Sequence, residues 1–325
     1  MSGGARHGAG MTDWRTRIIT VLGGGGFIGR YVCEQLFKSG VRLRVAQRQP
    51  RKAFFLQPLA AVGQLDLMAV DMNRPETLER AVDGAWGVVN LVGAFGGNLS
   101  QVHGDSAGRA AELAAKTGAE SFVHISAINA DPESPSFYAA TKGEGERLVR
   151  AAFPSATIIR PSLVFGPEDQ LTNRFAGMAR LPVLPVLAPK TRFQPVFVRD
   201  LGIAIARAAL DPDRFGGRTF EIGGPDVMTM RELNEAIAKA AGQSPDILEM
   251  PEFAGDLMSR FGFLPGAPLT RDQWLMLQKD NVATGPGLEA FDVEPTPLAA
   301  VAPDWLGRFR KGGRFASHHS QATAG

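Results

Sequence analysis

VLGGGGFIGR, at residues 21–30, joins the β-branched run RIITVL (17–22) to a segment with helical periodicity at 27–39. These flanks predict a strand, a glycine loop and a helix. In such a unit one glycine allows a tight turn, another lets the backbone approach a pyrophosphate, and a third lets helix and strand pack closely. The helix start adds unpaired N–H groups and a positive dipole end, which favour phosphate. A purely structural turn is the alternative, and the predicted dinucleotide contacts are Gly23, Gly25, Gly26, Phe27, Ile28 and Gly29.

Strands and helices continue to alternate through the first half of the chain. Further strands are predicted at 41–47, 65–70, 86–92, 121–126 and 156–161, and further helices at 75–82, 100–117 and 136–152. Apolar strands buried on both faces, alternating with helices, form a parallel sheet with helices on both sides. The sequence therefore predicts an α/β fold, a doubly wound parallel Rossmann-type sheet, over residues 17–160.

The second half of the chain has a different composition. Residues 161–195 are rich in proline and show few regular patterns. Helices are predicted at 199–210, 229–241, 252–261 and 270–279, and short strands near 193–198, 218–222 and 246–250. We expect a smaller, mostly helical C-terminal cap over 161–310 that returns at least one strand to the main sheet. Residues 1–16 and 311–325 predict a disordered leader and a disordered tail.

The composition of the 325 residues excludes several classes of function. A single cysteine excludes a disulfide framework, and five scattered histidines predict no metal site. A net charge of +2 gives no electrostatic footprint for nucleic acid. No apolar run approaches the about 20 residues of a membrane span, and no secretory signal is visible. We expect a cytoplasmic protein, either free or attached peripherally at the inner membrane.

The end of the second predicted strand bears on the choice of nucleotide. An acidic residue there binds the ribose 2′-hydroxyl of NAD(H), whereas an arginine accommodates the 2′-phosphate of NADP(H). No carboxylate occurs between residues 41 and 65, and Arg48 follows the strand in the expected region. Its planar guanidinium suits a phosphate. The sequence predicts NADP(H) in preference to NAD(H), the alternative being that Arg48 is an ordinary solvated side chain.

Only two tyrosines occur in the chain, and Tyr138 lies four residues before Lys142. Residues at this spacing share one helix face, and a nearby ammonium lowers the pKa of a phenol. The pair is thus a candidate acid/base for hydride-transfer chemistry. Ser126, at the end of SFVHIS (121–126), is the candidate third member; bracing the nucleotide or ending the strand are its alternatives. Tyr31 is expected to serve in packing.

These motifs resemble the extended and atypical short-chain dehydrogenases/reductases, which share the spacing Gly23-x-x-Gly26-x-x-Gly29. The resemblance extends through RPSLVFGPED (160–169), FQPVFVRDL (193–201) and FEIGGP (220–225). The segment LTRDQWLMLQKDNV (269–282) is similar to a C-terminal signature of the NADPH-binding accessory subunit family of respiratory complex I and its bacterial homologues.

The resemblance implies further nucleotide contacts. Asp71 and Met72 would border the adenine, and Leu91, Val92 and Gly93 would lie along the ribose. Pro161 and Ser162 belong to the loop that would line the nicotinamide, and Lys142 would bind the nicotinamide ribose. Active relatives carry their working Ser or Thr one or two positions after Ser126, where this chain has Ala127 and Ile128.

Three functions remain open at this point. The first is an accessory protein of complex I or of a quinone-pathway complex that uses NADP(H) structurally. The second is an active NADP(H)-dependent oxidoreductase on a carbonyl, alcohol or quinone-like substrate, with Tyr138 as acid/base. A nucleotide-sugar epimerase or dehydratase is disfavoured because the acid after the second strand is absent. Apolar cap residues such as Phe175, Leu184 and Trp274 would either line a lipid-like or quinone-like pocket or form the core of the cap.

Overall fold

A seven-stranded parallel sheet is the centre of the computed structural model, which describes residues 16–94, 96–260, 269–285 and 287–310. The described residues form the following strands, seven of which belong to this sheet: β1 (Ile18–Leu22), β2 (Arg42–Gln47), β3 (Leu65–Ala69), β4 (Gly87–Asn90), β5 (Ser121–Ile125), β6 (Thr157–Pro161), β7 (Val164–Phe165), β8 (Val183–Val186), β9 (Arg192–Phe193), β10 (Val196–Phe197), β11 (Thr219–Ile222), β12 (Met228–Thr229) and β13 (Asp246–Glu249). The sheet order is β11-β6-β5-β4-β1-β2-β3, and all neighbouring pairs are parallel. The strand order reverses between β1 and β4, the place where such sheets bind ligands.

Helices cover both faces of this sheet, and further helices form much of the second half of the chain. They are α1 (Phe27–Lys38), α2 (Pro75–Val82), α3 (Ser106–Lys116), α4 (Phe137–Ala152), α5 (Gln170–Met178), α6 (Val198–Leu210), α7 (Pro212–Phe215), α8 (Met230–Ala240), α9 (Glu252–Arg260), α10 (Arg271–Leu277), α11 (Leu298–Val301) and α12 (Pro303–Leu306). Short 3-10 helices lie at Pro50–Leu59, Leu288–Phe291 and Gly307–Phe309, and a π-helix lies at Ser100–Asp105. In the described part of the chain, no helix combines the length and apolarity needed to cross a bilayer.

The strand side chains divide the core into two layers because successive residues point to opposite faces. On β4, Val89 packs in the cluster that contains Leu201 of α6, whereas Val88 packs with Leu78 of α2. Both valines are completely buried. The predicted doubly wound α/β fold is confirmed.

The second half of the chain supplies β11, which pairs with β6 at one edge of the sheet. It also forms a separate core around α5, α8 and α12 and a parallel β8–β13 pair. Leu184 is buried in this core, and Phe175 packs against it.

Local structure differs from the sequence prediction in several places, and two of them bear on the site and the cap. The predicted helix at 100–117 begins as a π-helix, a variation that apolar periodicity does not reveal. The segment 161–195, predicted to be largely irregular, contains α5 and several short strands. Here the prolines flank α5, and Asp169 caps it by accepting a hydrogen bond from Thr172 N at 2.6 Å. The predicted leader (apart from Thr16) and tail lie outside the described residues.

Candidate nucleotide site

The glycine loop makes its turn between β1 and α1 in a conformation that side chains would obstruct. Gly23 has φ +80°, in the left-handed region, and its N–H donates to Ala46 O at 2.8 Å. A Cβ atom at Gly29 would lie 2.5 Å from Gly24 O, so helix and loop can approach only with glycine there. Within the described part of the chain, no side chain caps the start of α1 at Gly26. The loop therefore presents the open helix terminus that a pyrophosphate would occupy.

Gln47, at the end of β2, is a loop contact that the sequence analysis missed. Its Oε1 accepts a hydrogen bond from Gly25 N at 2.9 Å, and its Nε2 donates to Gln49 O at 2.7 Å. Arg48 is exposed and makes no hydrogen bond or ion pair with any residue that the structure describes. Its position in the sequence could have indicated this contact, because Gln47 ends the strand where an acid would bind the ribose. Its neutral amide does not repel a phosphate.

The residues assigned to the adenine end lie at the carboxyl end of β3. Asp71 shapes the turn, since its Oδ1 accepts from Asn73 N at 3.0 Å. The carbonyl of Met72 accepts from Ser106 Oγ at 3.2 Å. A cavity of about 330 Å³ opens here, and its lining includes Met72, Asn73 and Arg109.

The carboxyl end of β4 approaches both the glycine loop and Lys142. A Cβ atom on Gly23 would lie 3.4 Å from the carbonyl carbon of Leu91, and one on Gly93 would lie 3.6 Å from Lys142 Nζ. The structure thus brings together the loop, the predicted ribose contacts and the predicted lysine. Val92 N, beside them, donates to Asn90 Oδ1 at 3.1 Å.

Tyr138 and Lys142 lie on the first two turns of α4. Lys142 is buried, its Nζ donates to Ile125 O at 3.0 Å, and burial lowers its pKa to about 8, with Glu146 opposing the change. Burial raises the pKa of Tyr138 to about 12. The shift in the tyrosine pKa is therefore opposite in direction to the one expected from a neighbouring ammonium, because desolvation of the phenolate dominates.

His103, which appears isolated in the sequence, contacts this helix from the π-helix. Its Nε2 accepts from Ala94 N at 3.0 Å, so its proton resides on Nδ1, which lies 3.0 Å from Thr141 Oγ1. The ring meets that of Tyr138 edge to face, with centroids 5.3 Å apart. Burial lowers the pKa of His103 to about 4. A neutral imidazole therefore joins the residues after β4 to α4, and only the fold brings these segments together.

Ser126 follows β5 directly, and its N–H donates to Ile159 O at 2.8 Å. Its hydroxyl oxygen is buried and has no hydrogen-bond partner in the described structure. Buried hydroxyls are ordinarily hydrogen-bonded, so this one suits a polar group of a ligand. With the open glycine loop and the buried Lys142, it fits a dinucleotide. Ile128, by contrast, is an apolar buried residue whose N–H donates to Pro161 O at 3.2 Å.

Residues 270–284, here termed the strap, run across the carboxyl ends of β5, β6 and β11. Ser162 Oγ lies 2.8 Å from Asn281 O and 2.7 Å from Asn281 Oδ1, so this predicted nicotinamide contact already has a protein partner. Asn129 Nδ2 donates to Asp280 O at 2.8 Å, and Thr284 N donates to Glu221 Oε2 at 2.9 Å. The strap is thus hydrogen-bonded to three neighbouring strand ends.

The strap also contacts the helix that carries Tyr138. Asp272 accepts hydrogen bonds from Phe137 N at 2.6 Å and from Tyr138 N at 3.1 Å. Thr270 and Gln273 form a capping box at the start of α10, and Trp274 is buried. The signature at 269–282 therefore includes residues that fasten the cap to the sheet and to α4.

Tyr31 is more than a packing residue. Its hydroxyl donates to Glu168 Oε2 at 2.7 Å, and Arg30 forms an ion pair with the same carboxylate at 2.9 Å. These contacts join α1 to the cap near the glycine loop. Among the described residues, no group of His, Cys, Asp or Glu is arranged to hold a metal ion.

Comparison with known proteins agrees with this arrangement. The NAD dependent epimerase/dehydratase family matches residues 19–223. The mitochondrial NADH dehydrogenase [ubiquinone] 1 alpha subcomplex subunit 9 of Rattus norvegicus is 32% identical over 304 residues, which cover 90% of this chain and 80% of that protein. A ceramide reductase of Caulobacter vibrioides is 31% identical over 260 residues, 77% of this chain and 80% of that protein.

A solved structure with the same fold is an NADPH-dependent quinone oxidoreductase from Escherichia coli, determined with NADPH. It has a TM-score of 0.71 at 20% sequence identity and covers 88% of this chain and 99% of its own. At that identity the similarity concerns the fold. The sequence relationships, which extend along most of the molecule, place this chain in the NAD dependent epimerase/dehydratase family, in the branch that includes subunit 9 of complex I.

Proposed function

We propose that the chain binds NADP(H) chiefly as a structural group and acts as an accessory protein of complex I or of a related quinone-pathway complex. The observation that carries this proposal is the strap, which is fastened to Asn129, Ser162 and the first turn of α4. These groups surround the end of the sheet assigned to the nicotinamide. A segment fastened there restricts both the entry of a substrate and the release of the nucleotide.

The residues of the site have distinct roles in this proposal. The glycine loop and the start of α1 hold the pyrophosphate, and Arg48 pairs with the 2′-phosphate. Lys142 binds the nicotinamide ribose, and the unpaired hydroxyl of Ser126 accepts or donates one hydrogen bond to the same end. The bound nicotinamide would supply hydride chemistry. Without a suitable hydroxyl at Ala127 or Ile128, and with a phenol whose raised pKa makes it a weak proton donor, the protein's contribution is binding.

The partner is proposed from the relatives and from the surface of the cap. In the parallel β8–β13 pair, Val183 and Leu248 are 44% and 51% exposed. On α9, which follows β13, Phe253 and Leu257 are 73% and 54% exposed and lie one helical turn apart. Exposed apolar side chains of this size are typical of surfaces that bind another protein. We therefore assign these two exposed apolar groups, on β8–β13 and on α9, to the contact with the respiratory complex.

An active NADP(H)-dependent oxidoreductase is the second candidate. It is favoured by the placement of Tyr138 and Lys142 on one face of α4 and by the similarity to a ceramide reductase. In that case Tyr138 would transfer the proton and the substrate would be an apolar carbonyl or a quinone. An epimerase or dehydratase remains less favoured, because Gln47 stands where an acidic residue would bind NAD(H).

One preparation separates the two candidates. Protein purified in mild detergent from the cells that make it is expected to release a dinucleotide on denaturation and to migrate with complex I on native gels. Its NADPH consumption against a panel of carbonyls and quinones is expected to equal that of Tyr138→Phe. Turnover by the wild-type protein that disappears in Tyr138→Phe would refute the structural role and support the oxidoreductase.

The preference for NADP(H) depends on Arg48. In this proposal one guanidinium–phosphate pair accounts for the difference in affinity between NADPH and NADH. Arg48→Ala is therefore expected to weaken NADPH binding about tenfold and leave NADH binding unchanged. Isothermal titration with both nucleotides measures this. Arg51→Ala, which removes another exposed arginine of the same segment, is the matched control and should change neither. A wild-type protein that binds NADH more tightly than NADPH would contradict the preference.

A further inference from the structure

The carboxylate of Asp272 contacts a helix that begins 135 residues earlier in the chain. Its two oxygens accept hydrogen bonds from the N–H groups of Phe137 and Tyr138, in the first turn of α4. N–H groups in a first turn have no partner within the helix, and an acidic group beside them also favours the helix dipole. No described cation forms an ion pair with Asp272, so its charge is directed at this helix end.

The helix end is already capped without Asp272. Ser136, the residue just before α4, is the local cap. Its Oγ accepts a hydrogen bond from Ala139 N at 3.3 Å, the usual arrangement for a serine at this position. Asp272 adds two acceptors from the strap to this local cap. The addition is of functional interest because Tyr138 is part of the turn held in this way.

The first turn of α4 determines where the phenol ring stands. Tyr138 lies against His103 edge to face, and Thr141 of the next turn lies beside His103 Nδ1. A displacement of the turn would therefore move the ring relative to His103. It would also affect Lys142, one turn further along the helix, beside Gly93.

We infer that Asp272, which lies in the C-terminal cap (161–310), is a positioning residue. It holds Tyr138 and Lys142 in place at the nicotinamide end of the site. The inference rests on the proposed nucleotide binding. It gives the cap a direct part in that binding: the nucleotide is held at full affinity only while the strap is docked on α4. A domain contact without this role would contribute to stability alone.

The chain contains a matched control for this distinction. Asp256 of α9 pairs with Arg271 and with Arg260 at 2.9 Å, so it also stabilises the region around α10. Within the described structure Asp256 makes no hydrogen bond to α4. Asp256→Ala should therefore weaken the cap without releasing the first turn of α4.

The two tyrosines make a specific readout possible. In a Tyr31→Phe parent, Tyr138 is the single tyrosine, so labelling tyrosine with carbon-13 at Cζ yields one NMR signal. Asp272→Ala in this parent is expected to shift or broaden that signal and raise the Kd for NADPH about tenfold. Asp272→Asn, which keeps one acceptor, should give intermediate changes. It also serves as the test if the alanine variant does not fold.

Asp256→Ala should leave the tyrosine signal in place and change the Kd less than about twofold. If Asp272→Ala and Asp272→Asn resemble Asp256→Ala in both readouts, the positioning role is wrong. If the Tyr31→Phe parent and the wild-type protein bind no nucleotide, the proposed function fails instead. The tyrosine signal still tests the Asp272 contact in that case.

Discussion

Alanine at Gly29 is expected to lower the affinity for NADP(H) at least about a hundredfold, because a displaced loop would lose charge-assisted hydrogen bonds to the pyrophosphate. The added Cβ would lie 2.5 Å from Gly24 O and 2.6 Å from Gly24 C. Both are backbone atoms of the loop, which cannot give way as a flexible side chain would. The loop must therefore move away from α1 and lose the arrangement that holds the pyrophosphate.

Titration of NADPH by fluorescence or calorimetry measures the loss. Gly26→Ala gives a graded comparison, since its Cβ would lie 3.2 Å from Gly23 O and should reduce affinity less. Gly307→Ala, whose Cβ would meet no described atom within 4 Å, is the neutral control. Wild-type affinity in Gly29→Ala would show that the nucleotide does not use this loop.

Replacement of Lys142 by methionine is expected to stabilise the nucleotide-free protein by about 2 kcal/mol at pH 7 while weakening NADP(H) binding at least about tenfold. Burial lowers the pKa of Lys142 from 10.5 to about 8, so folding disfavours its charged form. Methionine removes that penalty, although it also removes the hydrogen bond to Ile125 O. The same change deletes the group proposed to bind the ribose.

The pH dependence follows from the direction of this shift. Between pH 8 and 10.5 the unfolded chain retains the Lys142 proton and the folded protein loses it. The contribution of Lys142 to the free energy of unfolding therefore rises with pH through this window, and this rise is absent from Lys142→Met. Burial raises the pKa values of Cys33 and Tyr138, so these two groups lower the free energy of unfolding as the pH rises. Both are present in wild type and in Lys142→Met, so their effects cancel when the stabilities of the two proteins are subtracted.

Urea unfolding at pH 7 and pH 9.5 provides the comparison. Lys38→Met is the matched control, because the Lys38 side chain is 62% exposed and pairs with Glu34 on the surface. It should alter stability by less than about 1 kcal/mol and leave nucleotide affinity unchanged. A Lys142→Met protein that is less stable than wild type at pH 7 would mean that the amine stabilises the fold.

Much of the fold could be predicted because it follows from local patterns. The apolar runs at β1 and β4 indicate buried strands, and the glycine spacing indicates the turn between β1 and α1. The i, i+4 relation of Tyr138 and Lys142 is a property of one helix. The resemblance to the complex I accessory family, which the comparisons confirm, also rested on continuous motifs.

What could not be predicted depends on contacts between distant segments. His103 and Thr141 are 38 residues apart, and Asp272 and Tyr138 are 134 apart, so no periodicity relates them. Gln47 could be placed at the end of a strand, but the direction of its amide toward Gly25 follows from the loop conformation. The pKa of Tyr138 depends on its burial, which the spacing of Tyr138 and Lys142 in the sequence does not specify.

The strap has a consequence for the order of events during synthesis. Strands β1 to β6 are complete by residue 161, and domains commonly begin folding from the N-terminal side while translation continues. β11 emerges some 60 residues after β6, and the strap follows at 270–284. We therefore expect a nascent chain with most of its sheet assembled but with α4 still lacking Asp272. In such a chain, maturation of the site would await a segment that leaves the ribosome after the last strand of the sheet.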